Sequence, residues 1–192
     1  MRHLILIKHS LPAIEPTLPA KQWPLSPEGH QRCSTLTTLL THYTPTLIVS
    51  SPERKAQQTA AHLSLAFHQP YHVSEGLHEH ERSKTGFLPQ THFEQIMDTF
   101  FSQPDSIVFG SESAHQARTR FSFAIEQALQ EAPGGDVFVI AHGTVITLFV
   151  SYHTTLAPLP LWKSLDLPSF ISLSIPDYRL LELHPHLDRH ET

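Results

Sequence analysis

Three short apolar runs decide what this chain can fold into: residues 4–7 (Leu-Ile-Leu-Ile), 47–49 (Leu-Ile-Val) and 137–141 (Val-Phe-Val-Ile-Ala). Each is too short for a buried helix and none alternates with polar residues, so each reads as a strand covered on both faces. Such strands need helices above and below the sheet, and the intervening sequence supplies them. Ser26-Pro27-Glu28 reads as a helix start, with a hydroxyl N-cap, Pro at the first position and an acid in the first turn. Cys33, Leu36, Leu39, Leu40 and Tyr43 then follow at helical spacing until Pro45 ends the helix. Ser51-Pro52-Glu53 repeats that chemistry ahead of a stripe of Ala56, Ala60, Leu63 and Phe67.

A brief strand is expected at residues 71–73. Between 75 and 110 the pattern turns irregular around one helix, opened by a capping box at Thr91-His92-Phe93-Glu94 and carrying Phe93, Ile96, Met97, Phe100 and Phe101 on one face. A longer helix from about Ser111 carries Ala114, Ala117, Phe121, Ile125, Ala128 and Leu129, and Pro133-Gly134-Gly135 stops it. Segments 170–175 and 178–183, joined through Pro176-Asp177, read as a hairpin. Strands alternating with helices predict an α/β class. The expected architecture is a three-layer α/β/α sandwich with a mostly parallel sheet and a C-terminal antiparallel hairpin. It is read as a single domain over 1–192, with a lid or insertion at about 75–110.

The 192 residues carry a net charge of −5 with scattered basic residues, which gives no electrostatic case for nucleic acid. No apolar run is long enough to cross a bilayer, and the four apolar residues before Lys8 are too few for a signal-peptide core. Cys33 is alone, so no internal disulfide forms. These features predict a cytoplasmic protein without nucleic-acid or membrane partners. With 16 His against 13 Lys plus Arg, most histidines must be ordinary surface or helix positions.

Three of the expected strands nevertheless end in chemistry. In a parallel sheet ligands bind beyond the carboxyl ends of the strands. There the chain places Lys8-His9-Ser10, then Ser50-Ser51-Pro52 leading to Arg54 and Lys55, then His142-Gly143-Thr144. Two imidazoles and two or three cations beside helix N-termini suit a dianion, with phosphate the obvious candidate.

The same segments carry a family resemblance. Residues 4–10 (Leu-Ile-Leu-Ile-Lys-His-Ser) resemble the first motif of the histidine phosphatase superfamily (phosphoglycerate mutase-like), normally apolar residues followed by Arg-His-Gly. Residues 50–60 are similar to its Ser-Ser-Pro-x-x-Arg-Ala-x-Gln-Thr-Ala motif, and Leu77-His78-Glu79 to its Leu-x-Glu. Gly110-Ser111-Glu112-Ser113 with Arg118 or Arg120 resembles its Gly-Glu-Ser…Arg helix, and Val139-Ile140-Ala141-His142-Gly143 matches its final His-Gly. The five occur in family order across nearly the whole chain. Lys8 and Lys55 stand where the family has arginines, and Ser10 where it has glycine. Charge is kept, but the bidentate fork of arginine is lost.

The resemblance implies a metal-independent phosphomonoesterase with no cofactor. Its partner is a small phosphorylated substrate or inorganic phosphate. His9 would attack phosphorus and become a phosphohistidine, His142 would stabilise the transferring group, and Glu79 would act as general acid, with Glu81 as the rival. Lys8 and Lys55 would clamp the phosphoryl oxygens, Arg54 replacing Lys55 if the register slips by one, and Ser10 and Thr144 could donate as well. Two other readings stay open: a phosphomutase, and a phosphate-binding or interaction module with weakened turnover. His78 and His80, or His184, His186 and His190, raise a metal reading. No remaining ligands stand at recognisable spacing, so no metal is expected. Substrate and oligomeric state are not legible.

Overall fold

The computed structural model of the chain describes residues 2–82 and 89–187. β1 (Arg2–Lys8) leads to α1 (Pro27–Leu39), β2 (Pro45–Ser50), α2 (Arg54–Phe67) and β3 (Tyr71–Val73). There follow α3 (Gln90–Ser102), α4 (Ala114–Glu131), β4 (Asp136–Ala141), α5 (Gly143–His153), α6 (Pro158–Ser164), β5 (Ser169–Ile175) and β6 (Leu180–His184). Among the described residues the strands form one six-stranded sheet in the order β3-β2-β4-β1-β5-β6. β1 to β4 run parallel, while β5 pairs antiparallel with β1, and β6 with β5. This is the expected α/β arrangement, closed by the expected hairpin.

The unbroken apolar runs are explained by what lies on each face. Leu4 and Leu6 of β1, with Val137 and Val139 of β4, pack against Phe121 and Ile125 of α4 and Val145 and Phe149 of α5. Ile5, Ile7, Phe138 and Ile140 point to the opposite face, where α1 and α2 contribute Leu36, Ala56, Ala60 and Leu63. Strand side chains alternate between faces, so a strand with a helical layer on both sides must be apolar at every position. A third cluster gathers Met97, Phe100, Phe109 and Ala114 around α3, with Phe93 and Trp162 against it. No described helix is long and apolar enough to cross a membrane.

Several helix starts differ from the sequence-based expectation, each for a visible reason. α1 begins at Pro27 as expected, the Ser26 hydroxyl accepting from the Gly29 N–H, but it ends at Leu39 and Pro45 opens β2 instead. α2 begins at Arg54 with Glu53 at the N-cap; the Ser51 hydroxyl accepts from the Glu53 N–H at 3.3 Å ahead of the helix and also lies 2.7 Å from His142 Nε2. α3 begins at Gln90 without a capping box, since the Glu94 carboxylate is drawn 2.6 Å from Lys163. α4 starts at Ala114, where Ser113 and Gln116 form a reciprocal capping box. The short α6 was not foreseen.

Phe138 sits wholly buried in mid-sheet, edge-on to Tyr43 and Phe67 at ring separations of 6.3 and 5.2 Å. Its truncation in Phe138→Ala should cost about 3–5 kcal/mol. Urea unfolding followed by circular dichroism measures this; a cost below about 1 kcal/mol would mean that the sheet repacks around the lost ring.

Candidate active site

The parallel ladder fixes the site. Lys8 of β1 is in register with Ala141 of β4, and the ladder runs on as the His9 N–H donates to the Ala141 carbonyl at 3.1 Å. His9 and His142 therefore leave adjacent strands level with each other, their rings edge-on at 5.1 Å. On the other side of β4, the Ser51 N–H donates to the Ile140 carbonyl at 2.9 Å and brings the end of β2 into line.

His9 is buried, and its Nδ1 lies 2.8 Å from the Ser10 carbonyl. A carbonyl only accepts, so Nδ1 carries the proton and Nε2 keeps its lone pair. Burial, with the nearby His142 and Lys55, pushes the His9 pKa well below 6.5. His142 is fully buried, its Nε2 2.7 Å from the Ser51 hydroxyl and 3.4 Å from Glu53 Oε1. Burial outweighs the raising influence of Glu79 and takes its pKa to about 3. Both imidazoles are neutral at pH 7.

Two lysines flank the pair. Lys8 donates through Nζ to the Leu165 carbonyl at 2.6 Å, and burial lowers its pKa to about 8 despite the carboxylate of Glu79. Its stem passes so close to Gly143 that a Cβ there would lie 3.2 Å from Lys8 Cε. Of the two cations at the start of α2, Lys55 is buried and Arg54 is exposed. Lys55 Nζ donates to the Ala20 carbonyl at 2.9 Å and to Glu53 Oε2 at 2.5 Å.

Glu53 is the residue the sequence reading did not single out. The residue is 9 % exposed, and its Oε1 accepts from the Glu79 N–H at 2.9 Å. Burial pushes this carboxyl up, but Lys55 and the Glu79 N–H outweigh it and hold it below the usual carboxylate range. An acid directly after Ser-Pro had only the reading of a helix-start charge; its position two residues before the inward lysine was the available signal. Arg82 was missed as well.

Glu79 accepts from the His80 N–H at 2.8 Å and from the Thr144 N–H, in the first turn of α5, at 3.2 Å. Burial raises its pKa, but Arg82, His142 and the His80 N–H together bring it below the usual range. The loop that carries it is held by Arg120, which donates to the carbonyls of Gly76 at 2.8 Å and His78 at 2.9 Å and pairs with Glu112 at 2.6 Å. Arg118 instead lies over the Tyr152 ring. Glu81 is exposed, its carboxylate 3.6 Å from His78. Ser10 is buried with its hydroxyl donating to the Gly29 carbonyl at 2.7 Å, which ties the loop to α1 and turns that hydroxyl from the crevice.

Above His9 opens a cavity of about 380 Å³, bordered by Lys8, Glu79, Arg82, Phe93 and Trp162. A larger hollow of about 660 Å³ beside α4, near Asp105, His115 and Phe123, lacks such a convergence of buried titratable groups. Among the described residues no three His, Cys, Asp or Glu side chains are arranged to hold a metal ion. His80 Nε2 donates to the Glu112 carbonyl, His184 pairs with Glu182 and His186 with Asp166; His190 lies outside the described residues.

Comparison with known proteins gives the family and the fold. The family model of the histidine phosphatase superfamily (branch 1) matches residues 18–181. The chain belongs to this superfamily. Among solved structures, this histidine phosphatase is similar to mycobacterial glucosyl-3-phosphoglycerate phosphatase with inorganic phosphate, at 19% identity and a TM-score of 0.79 over 97% of this chain and 99% of that one. It is also similar to Entamoeba histolytica phosphoserine phosphatase with 3-phosphoglyceric acid, at 18% identity and a TM-score of 0.76 over 97% and 98%. Among curated proteins none matches.

The neutral pair gives a direct test. Imidazole nitrogen shifts should show His9 and His142 unprotonated from pH 8 down to about 5.5, where an ordinary histidine of pKa about 6.5 is mostly charged. The unfolded chain takes up those protons near pH 6.5 and the folded chain does not. Stability should therefore fall as the pH drops from there toward the folded-state values. A midpoint near 6.5 for either ring would overturn the assignment.

Proposed function

We propose that this histidine phosphatase hydrolyses small phosphate monoesters through a phosphohistidine on His9. The observation that carries the reading is the His9 ring itself: neutral, oriented by its Nδ1 bond to Ser10, and set beside His142 at the head of the crevice. Its Nε2 lone pair attacks phosphorus as the ester P–O bond breaks, and Glu79 passes a proton to the departing alcohol. Water then attacks the phosphohistidine, Glu79 takes up the water proton, and inorganic phosphate and free His9 are restored. His142 and the ammonium groups of Lys8 and Lys55 face the charge that spreads over the phosphoryl oxygens.

Glu79 is ionised in the unliganded crevice, so the proton it hands on arrives with the substrate. The described residues would act as one domain, 75–82 and 89–110 forming a lid (83–88 of the expected lid lie outside the described residues), with Arg82, Phe93 and Trp162 on a rim that selects the ester. The phosphate and 3-phosphoglyceric acid found with the two structural relatives support a small phosphorylated partner. A cytoplasmic setting belongs to the same reading, in line with the lone Cys33. A phosphate binder with slow turnover is the second reading, favoured by one observation: Lys55 is already paired with Glu53.

Hydrolysis of an aryl phosphate, with and without chelator, tests the proposal. Wild-type activity should survive chelation, and His9→Ala should lose it by at least about 10³-fold, the scale on which removing a nucleophile is felt. Rapid acid-free quenching with labelled substrate should trap the label on His9. Activity that persists in His9→Ala would refute the phosphohistidine, and phosphate binding without turnover would select the second reading.

A further inference from the structure

Glu53 is an anion set beside the two histidines on which the proposed reaction needs another anion to land. Its carboxylate accepts from the Lys55 ammonium at 2.5 Å and from the Glu79 N–H at 2.9 Å, and stands 3.4 Å from His142 Nε2. An ammonium, a backbone N–H and an imidazole are the kinds of partner a phosphoryl oxygen would seek. Although Glu53 occupies the N-cap of α2, its side chain makes no capping bond. The lysine and the Glu79 N–H, not the helix end, hold it beside His142.

The charge count follows. Around His9 stand the cations Lys8, Lys55 and Arg82 and the carboxylates Glu53 and Glu79, with both imidazoles neutral and the Lys163–Glu94 pair at the rim cancelling, which leaves a single net positive charge. Without Glu53 there would be two. We infer that Glu53 is a specificity-determining residue that engages Lys55 and so matches the crevice to a phosphoryl monoanion in preference to a dianion. The inference rests on the proposed phosphatase reading and deepens it. A monoanion still carries the proton that the ionised Glu79 lacks, so selecting it also delivers the proton needed at the leaving oxygen. The groups facing Glu53 are Lys55 on its own helix, His142 at the start of α5, Glu79 from the loop after β3 and His9 from the end of β1.

The test compares the affinity of inorganic phosphate for wild type and Glu53→Gln by calorimetry, at a pH of roughly 8, where the dianion prevails, and of roughly 5, where the monoanion does. Glu53 is held below the usual carboxylate range and stays charged at the lower pH. Lys8, with a pKa of about 8, is common to wild type and variant, so the variant-to-wild-type ratio of affinities at each pH reads the charge of phosphate. The expected result is an affinity raised by about tenfold or more at the higher pH and by less than about threefold at the lower. Glu53→Leu, which removes the charge while keeping an apolar side chain against the stem of Lys55, should behave alike; circular dichroism confirms that each variant is folded. Equal affinities for wild type and folded variants would overturn the inference. An equal gain at both pH values would overturn it too, since it would assign Glu53 a steric role. No phosphate binding by any of the proteins, together with no aryl phosphatase activity, would instead bring down the underlying phosphatase reading.

Discussion

The hydrogen bond from the His9 N–H to the Ala141 carbonyl is the point on which the site turns. It extends the β1–β4 ladder one residue past the end of the strand, so the level of His9 relative to His142 is set by sheet register and not by loop conformation. A one-residue slip would send every side chain of β1 to the opposite face, exchanging Leu4 and Leu6 for Ile5 and Ile7 between two different helical layers. The core therefore enforces the register, and the register places the two histidines. The bond from Ser51 to the Ile140 carbonyl does the same for β2. A site made of ladder ends inherits the rigidity of the sheet, which is what an in-line displacement at phosphorus demands of its nucleophile.

Burial then determines the charge states. Taking charged groups out of water is costly unless they are paired, and the crevice answers in two ways. The histidines give up their protons and remain neutral, while the carboxylates of Glu53 and Glu79 stay ionised through Lys55, Arg82 and backbone N–H groups. Lys8 lies between these cases: it keeps its proton at neutral pH, but with a pKa near 8 it does so by a modest margin. A neutral imidazole nucleophile and an unprotonated acid are two consequences of one desolvated environment. They are consistent with a reaction in which the substrate brings the mobile proton.

Much of this was legible in the sequence, because the features that matter were periodic or local. Unbroken apolar runs identified β1, β2 and β4, and the order of the motifs pointed to their ends. What was not legible depended on partners distant in the chain. Glu94 has the spacing of a capping box with Thr91, but Lys163 lies close enough to engage it. Ser51 has the chemistry of an N-cap and does accept from the Glu53 N–H, but its contact with His142 across the sheet was not visible in the sequence. Glu53 looks like a carboxylate placed to complement the dipole of α2, and only the fold shows it turned toward Lys55 and the Glu79 N–H. The motif register put Lys55 at the family's arginine with Arg54 as the fallback; adjacent helical residues point about 100° apart, and of the two it is Lys55 that is buried.

The loop bearing Glu79 shows how the proposed general acid is tied to the rim of the crevice. On one side Arg120 grips the carbonyls of Gly76 and His78 and is itself oriented by Glu112. On the other side His80, next in sequence to Glu79, is buried between Phe100 and Phe109 at ring separations of 4.5 and 4.6 Å, and its Nε2 donates to the carbonyl of that same Glu112. The aromatic core around α3 and the Arg120–Glu112 pair thus meet at one short peptide segment. Glu79 is bracketed between them, and its side chain is oriented by the N–H groups of His80 and Thr144. A displacement of α3, whose Phe93 borders the cavity, would be transmitted through His80 to the acid. Substrate contacts at the rim and the position of the proton donor are consequently not independent variables in this fold.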